Sequence, residues 1–203
     1  MSRSARSRAG LLAGTVALVL AASAAQAAER PEVTAAAAAQ RQQVIDWRRD
    51  FHQHPELSNR EQRTAGVVAE ELRRMGLEPK TGIAHHGVTA IIKGGRPGPK
   101  IALRADMDAL PVAERSGLPF ASKATAQYRG ETVGVMHACG HDAHTGILLG
   151  VARALVAMGD TLPGEVMLVF QPAEEGPPPG EDGGAQMMLA QGIFGDFKPE
   201  AGF

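Results

Sequence analysis

Residues 136–144, together with Glu174 and Glu175, carry the densest group of reactive side chains in the sequence. These nine residues hold the only cysteine, Cys139, with three histidines and one aspartate. Thiolate, imidazole and carboxylate groups are ligands for zinc and related divalent cations. Two adjacent glutamates can add one ligand and one spare carboxylate that acts as a base. The residue types therefore predict a metal-dependent hydrolytic site.

The spacing of Cys139 and His141 suits a shared ligand. In an extended segment, residues two apart place their side chains on the same side of the backbone. Gly140 stands between them and lets the backbone bend closely around an ion. A buried, inert cysteine is the alternative interpretation, and an internal disulfide is impossible because the chain has one cysteine. The neighbouring histidines favour metal ligation.

Two pairs of acids follow predicted strands. Glu174 and Glu175 come at a strand end, where adjacent side chains diverge, so one can ligate a metal while the other faces a substrate; a solvated acidic turn is the alternative. Asp108 could orient a ligand or bridge two ions. Asp106 could do the same or be a surface acid, because both roles look alike in sequence.

Hydrophobic periodicity predicts the elements that must position these residues. Helices are predicted at 34–56, 60–75 and 143–158, with a short helix ending at Gln191, and strands at 88–92, 101–105 and 165–170. Asp142 stands where the N-cap of the third helix is expected. Residues 94–99 are predicted as a turn, 114–134 as a loop, and 176–184 as a long loop that is either a linker or a mobile rim of the site. The alternation predicts an α/β domain with a parallel strand pair, whose carboxyl ends bring the candidate residues to one crevice.

The remaining histidine pairs receive a structural or surface interpretation. His52 and His54 lie at a predicted helix end, far in sequence from the other candidates, and His85 and His86 lie in a predicted loop.

Composition excludes several classes of function. The 203 residues carry a formal net charge of −1 with acids and bases interspersed, so nucleic acid is not expected as a partner. Aromatic residues make up only 4%, which suits α/β packing better than a β-sandwich.

The N-terminal residues 1–27 predict a signal peptide. Three arginines precede an apolar run at residues 11–20, and Ala25 and Ala27 fit the small-x-small cleavage pattern. The run is short for a bilayer span, so no stable membrane anchor is expected. The mature chain is expected to be secreted or periplasmic, with cleavage near Ala27.

Four segments resemble the M20 metallopeptidase family, and within it the amidohydrolases similar to hippurate hydrolase and the auxin–amino acid conjugate hydrolases. They are residues 47–57, 103–111, 136–144 and 171–176. The resemblance implies a three-layer, zinc-peptidase-like α/β catalytic domain with a mixed, largely parallel sheet. It also implies two divalent metal ions per complete site, zinc or manganese, with cobalt a third candidate.

The same resemblance assigns roles by position. Cys139, His141 and Glu175 match metal ligands, Glu174 matches the general base, and Asp108 matches an acid that steadies the site. Asp106 stands where many relatives carry a ligating histidine.

Family members are considerably longer than this chain. The resemblance therefore implies that residues 28–203 are the N-terminal portion of the catalytic domain, truncated before completion. The remaining catalytic segment and the lid or dimerisation domain would be absent, and the full-length form could be a homodimer.

The expected reaction is hydrolysis of the amide bond of an N-acyl amino acid by metal-activated water, with a glutamate as general base. The alternatives are a dipeptidase or carboxypeptidase on the same scaffold, and a catalytically inactive metal-binding fragment. A secreted redox protein using Cys139 is disfavoured because no second cysteine can resolve it.

Overall fold

Apolar strand segments and amphipathic helices alternate along the part of the chain that the structure describes, residues 30–203 of a computed structural model. The helices are α1 (Pro31–Gln53), α2 (Gln62–Arg74), α3 (His141–Met158) and α4 (Gly184–Ala190), and a 3-10 turn spans Gly159–Thr161. The strands are β1 (Lys80–Ile83), β2 (Gly87–Lys93), β3 (Arg96–Asp106), β4 (Thr125–Tyr128), β5 (Glu131–Gly134), β6 (Pro163–Gln171) and β7 (Ala201–Gly202). The predicted signal peptide, residues 1–27, lies outside the described residues. Within residues 30–203, no helix has the length and hydrophobicity needed to cross a bilayer.

Five strands form a mixed sheet in the order β1-β2-β6-β3-β7. β2 runs antiparallel to β1 and β6, whereas β3 runs parallel to β6 and β7. The parallel pair predicted from the sequence is therefore confirmed. Asp106 pairs with Gln171, so β3 and β6 end at the same level of the sheet. The acids that follow each strand consequently emerge side by side.

Alternation along β6 divides the core between the two faces of the sheet. Val166, Leu168 and Phe170 are buried against helices α1, α2 and α3, while Met167 and Val169 pack toward Met188 of α4. Burying a side chain such as Leu168 contributes roughly 1.5–3 kcal/mol. The molecule thus has three layers, helices on each face of a sheet, as the sequence predicts.

Several local predictions are wrong. The N-cap of α3 is Gly140, in the left-handed region at φ 113°, and Asp142 lies in the first turn. Asp142 is not a cap because its carboxylate instead forms an ion pair with Arg48 and a hydrogen bond with His52. The predicted turn at 94–99 is too long, since β3 begins at Arg96.

The predicted loop 114–134 is also wrong, because β4 and β5 form an antiparallel hairpin there. Its polar residues hide the strand pattern in the sequence. The partly buried Ala126 and Tyr128 nevertheless pack against a small cluster around Leu57 and Val135. The short strands β1 and β7 were not predicted, and α1 begins and ends about three residues earlier than predicted.

Candidate active site

Three of the predicted residues converge at the carboxyl ends of β3 and β6. One ligand atom each from Cys139, His141 and Glu175 lies within 4.8 Å of the others. His141 is buried at the start of α3, while Cys139 and Glu175 are exposed. The left-handed conformation of Gly140 turns the chain between the thiol and the imidazole, as its position in the motif predicts.

A backbone contact fixes the orientation of the His141 ring. Its Nδ1 lies 2.8 Å from the carbonyl oxygen of Asp108, to which it donates a hydrogen bond. Nε2 then faces the glutamates, 3.6 Å from an oxygen of Glu174 and 4.0 Å from one of Glu175. Burial lowers the pKa of His141, but the contacts with Asp108 outweigh it and raise that pKa to about 9. The ring therefore presents Nε2 to whatever cation, proton or metal, lies among these carboxylates.

Asp108 is fully buried and holds the backbone of both glutamates. Its two carboxylate oxygens accept hydrogen bonds from the N–H groups of Glu174 and Glu175, each at 3.0 Å, and from the hydroxyl of Ser58 at 2.7 Å. Burial alone would raise the pKa of Asp108, but hydrogen bonds from His141, Ser58 and these N–H groups bring it below its ordinary value. Asp108 is therefore a charged anchor for the turn that presents the glutamates.

The two glutamates occupy the central positions of a tight turn. The N–H of Gly176 reaches the carbonyl of Ala173 at 3.4 Å, and Ala173 has a left-handed φ of 49°. At the centre of a turn, successive side chains diverge, which suits two carboxylates with different tasks.

Glu61 is a buried acid that sequence reasoning missed. It is fully buried, and its Oε1 accepts a hydrogen bond from the N–H of Ala173 at 2.8 Å. Burial raises the pKa of Glu61 to about 7, against the lowering effect of the Ala173 N–H. In the sequence Glu61 stands in a charged run between Arg60 and Gln62, which gives no signal of burial.

Asp106 is buried and paired, so it is not a surface acid. Arg104 donates two hydrogen bonds of 2.9 Å to its carboxylate, from Nε and a terminal nitrogen. Asp106, His141 and Glu174 form a second group whose ligand atoms lie within 4.8 Å of one another. Arg104 also lies 3.8 Å from Glu174, so it balances negative charge on both carboxylates.

The neighbouring carboxylates change the pKa of the Cys139 thiol. A hydrogen bond to Glu175, followed by burial and the charges of nearby carboxylates, raises the pKa of Cys139. A divalent cation reverses this effect, since it favours thiolate. Thiol, imidazole and carboxylate donors from two separate segments thus fit one divalent cation, with Glu174 and Asp106 beside it.

His52, His54 and His137 lie outside the two groups of ligand atoms. His52 is buried between Asp142 and Glu114, at 2.8 and 3.0 Å, while His54 is exposed. His137 is also buried, and neither of its ring nitrogens has a hydrogen-bond partner among the described residues. Burial lowers the pKa of His137 to about 4, so its ring is neutral at physiological pH.

Polar contacts, two of them from Asn59, tie down the loop at 176–184. Glu181 forms an ion pair with Arg60, and His85 lies 3.1 Å from the carbonyl of Asp182. The loop is therefore anchored to the segments that precede α2 and β2.

A cavity of about 510 Å³ lies beside the cluster, between the sheet and α4. Arg104 and His144 line the end nearest the acids, and apolar side chains such as Met188 and Phe194 line the rest. A small molecule with one charged and one apolar part fits this combination.

Comparison with known proteins identifies the family. A sequence-family model, described as peptidase family M20/M25/M40, matches residues 102–203, half of the chain. Thermostable carboxypeptidase 1 of Saccharolobus solfataricus is 47% identical over 152 residues, covering 74% of this chain and 36% of the relative. N-acyl-L-amino acid amidohydrolase of Geobacillus stearothermophilus is 44% identical over 151 residues, covering 74% of this chain and 38% of the relative.

A solved structure gives the same result for the fold. A dinuclear metal-binding peptidase of the M20 family from Bacillus subtilis is 41% identical, with a TM-score of 0.66, over 77% of this chain and 40% of that chain. The chain spans little more than a third of the length of the two curated relatives. The resemblance seen in the four sequence segments is confirmed, and the chain belongs to peptidase family M20/M25/M40.

Proposed function

We propose that the chain carries part of a metal-dependent amidohydrolase site that cleaves the amide bond of N-acyl amino acids. One observation supports this most directly: the ligand atoms of Cys139, His141 and Glu175 converge while Glu174 remains beside them with a partly exposed carboxylate. Separate ligands and a free carboxylate are what hydrolysis by activated water requires.

Cys139, His141 and Glu175 would hold a divalent cation, and we propose two ions for the complete site. The name of the Bacillus subtilis structure, a dinuclear metal-binding peptidase, supports the pair. Thiolate and imidazole favour zinc, whereas the surrounding carboxylates also suit manganese or cobalt. When bound, such ions polarise an amide carbonyl and make water a better nucleophile at neutral pH.

Glu174 acts as the general base in this proposal. Its carboxylate takes a proton from the attacking water and passes it to the leaving nitrogen. An oxygen of Glu174 lies 3.6 Å from His141 Nε2, so the base stands directly beside the ligand atoms. Asp108 keeps it there by accepting the hydrogen bond of its backbone N–H at 3.0 Å. Asp108 thus works as a positioning residue.

The substrate class rests on the relatives and on the cavity. The amidohydrolase of Geobacillus stearothermophilus supports N-acyl amino acids, and the apolar cavity beside Arg104 suits an acyl group or an apolar side chain. A carboxypeptidase or dipeptidase is the second candidate, supported by the carboxypeptidase of Saccharolobus solfataricus.

Assays of the full-length protein, loaded with zinc or manganese, would separate these candidates. N-acyl amino acids should be turned over faster than dipeptides or longer peptides. Glu174→Gln should retain the metal and lose about 10²–10⁴-fold in kcat, because it cannot accept a proton. Glu78→Gln, at an exposed glutamate on the segment after α2, is the matched control and should keep full activity. A Glu174→Gln protein with bound metal and full turnover would refute the mechanism.

We also propose that residues 1–27 direct export, that residues 28–203 belong to the catalytic domain, and that the full-length form is a homodimer. The basic start and the small-x-small pattern at Ala25 and Ala27 support export. Mass spectrometry of the protein from the periplasm or medium should find an N-terminus near Ala28, and sedimentation of that protein should give the mass of a dimer. An uncleaved chain in the cytoplasm, or a monomer, would contradict the corresponding part.

A further inference from the structure

We infer that Glu61 is a positioning residue of the active site, which fixes the turn carrying Glu174 and Glu175 through its hydrogen bond with Ala173. The inference rests on the proposed function for the tasks of those two glutamates. It concerns a residue that takes no direct part in ligation or proton transfer.

Three consecutive backbone N–H groups of this turn are bound by buried carboxyl groups. Glu61 accepts from Ala173 at 2.8 Å, and Asp108 accepts from Glu174 and Glu175 at 3.0 Å each. Glu61 and Asp108 are both fully buried. Two acids from separate segments thus hold every backbone donor from the start of the turn to the second glutamate.

Ala173 needs such support because its conformation is unfavourable. Its φ of 49° lies in the left-handed region, which a residue with a Cβ adopts only at a cost of about 1 kcal/mol. Ala173 is buried, and its N–H donates to Glu61. Without Glu61, this donor would have no hydrogen-bond partner in a place that water does not readily reach. The opposite side of the residue is also confined, since a Cβ on Gly184 would lie 2.8 Å from the Ala173 carbonyl.

The start of α2 fixes the position from which the Glu61 side chain extends to Ala173. Glu61 stands at the N-cap of α2, yet its side chain makes no capping hydrogen bond and points to Ala173, 112 residues further along the chain. The capping task falls to Glu56, whose carboxylate accepts from the N–H groups of Arg63 and Thr64. Because Glu56 caps the helix, the carboxyl group of Glu61 is available to bond the turn.

The test compares Glu61→Gln with Glu61→Met in the full-length protein. Gln keeps an oxygen that accepts the Ala173 N–H, whereas Met has nearly the same length and no comparable acceptor. Zn²⁺ affinity, measured by competition with a chelator, should fall about 10–100-fold in Glu61→Met and stay within about threefold of the wild type in Glu61→Gln. kcat should follow the same order while KM changes little.

A double-mutant cycle separates positioning from general destabilisation. If Glu61 acts through the turn, the loss of Zn²⁺ affinity caused by Glu61→Met should nearly vanish in a Glu175→Gln background, because the ligand it positions is already altered. Glu56→Ala, which weakens the same helix start, should lower stability and leave Zn²⁺ affinity unchanged. Additive losses in the cycle, or equal losses in the Gln and Met variants, would overturn the inference. Zn²⁺ binding does not depend on the substrate, so a failure to hydrolyse N-acyl amino acids would refute the proposed function alone.

Discussion

The backbone carbonyl of Asp108 accepts a hydrogen bond from Nδ1 of His141 at 2.8 Å, while the Asp108 side chain holds the backbone of Glu174 and Glu175. One residue therefore sets both the orientation of the imidazole and the position of the turn opposite it. The distances between His141 Nε2 and the glutamate oxygens follow from this double contact.

Asp108→Asn should weaken metal binding about 10–100-fold, because one carboxylate oxygen becomes an NH₂ group that cannot accept from the turn. Competition titrations with Zn²⁺ would measure the change. Ser58→Ala is the control, since it removes one hydrogen bond to Asp108 and leaves both turn contacts in place. Its affinity should fall only a few-fold, by roughly the 1 kcal/mol of a single hydrogen bond. If Asp108→Asn bound Zn²⁺ with wild-type affinity, the turn would keep its position without the Asp108 carboxylate.

Cys139→Ser should discriminate between metals. Sulfur is a soft ligand that favours zinc, whereas manganese prefers oxygen and binds a hydroxyl with little loss. Zinc affinity should therefore fall at least about tenfold, and manganese affinity should change much less. Parallel titrations of both ions on the wild type and the variant give the comparison. Equal losses for the two metals would mean that the thiol is not a ligand.

The candidate ligand cluster was predictable because its residue types are rare and lie in the segments that follow or connect the two parallel strands. Cys139 precedes the helix that leads into β6, His141 begins that helix, and Glu175 follows β6. In a parallel pair the strand ends meet at one edge of the sheet, so the sequence order alone brings these residues together. The apolar run of β6 was equally clear, since that strand is largely buried.

Other parts of the site left no local signal. The contact between Glu61 and Ala173 joins residues 112 apart, and nothing in a charged segment shows which acid turns inward. The hairpin β4–β5 is short and half exposed, so its strands lack the apolar alternation that identifies buried ones. Asp142 resembled an N-cap in sequence, but tertiary contacts with His52 and Arg48 use its carboxylate instead.

His52→Leu should destabilise the fold without changing the chemistry of the site. Its ring contacts two buried carboxylates, Asp142 and Glu114, and an apolar side chain would leave both with one donor fewer. The expected cost is about 2–4 kcal/mol in the free energy of unfolding. His54→Gln, at an exposed position, should change stability by no more than about 0.5 kcal/mol.

Urea unfolding of the full-length variants would measure both values, and kcat per folded molecule should remain at the wild-type level in each. A large fall in kcat for a folded His52→Leu protein would instead connect this network to the site.

The buried carboxyl of Glu61 should make stability depend on pH. Burial raises its pKa from the ordinary 4.5 to about 7, so between these values the folded protein holds a proton that the unfolded chain has released. Its contribution is therefore fully present below about pH 4.5 and is lost as pH rises through about 7, a span worth roughly 3 kcal/mol. Glu61→Gln cannot titrate, so its stability relative to the wild type should increase between about pH 5 and pH 8. Urea unfolding of both metal-free proteins at those pH values provides the measurement. If the free energies of unfolding of the two proteins changed with pH in parallel, the pKa of Glu61 would not be raised in the folded state.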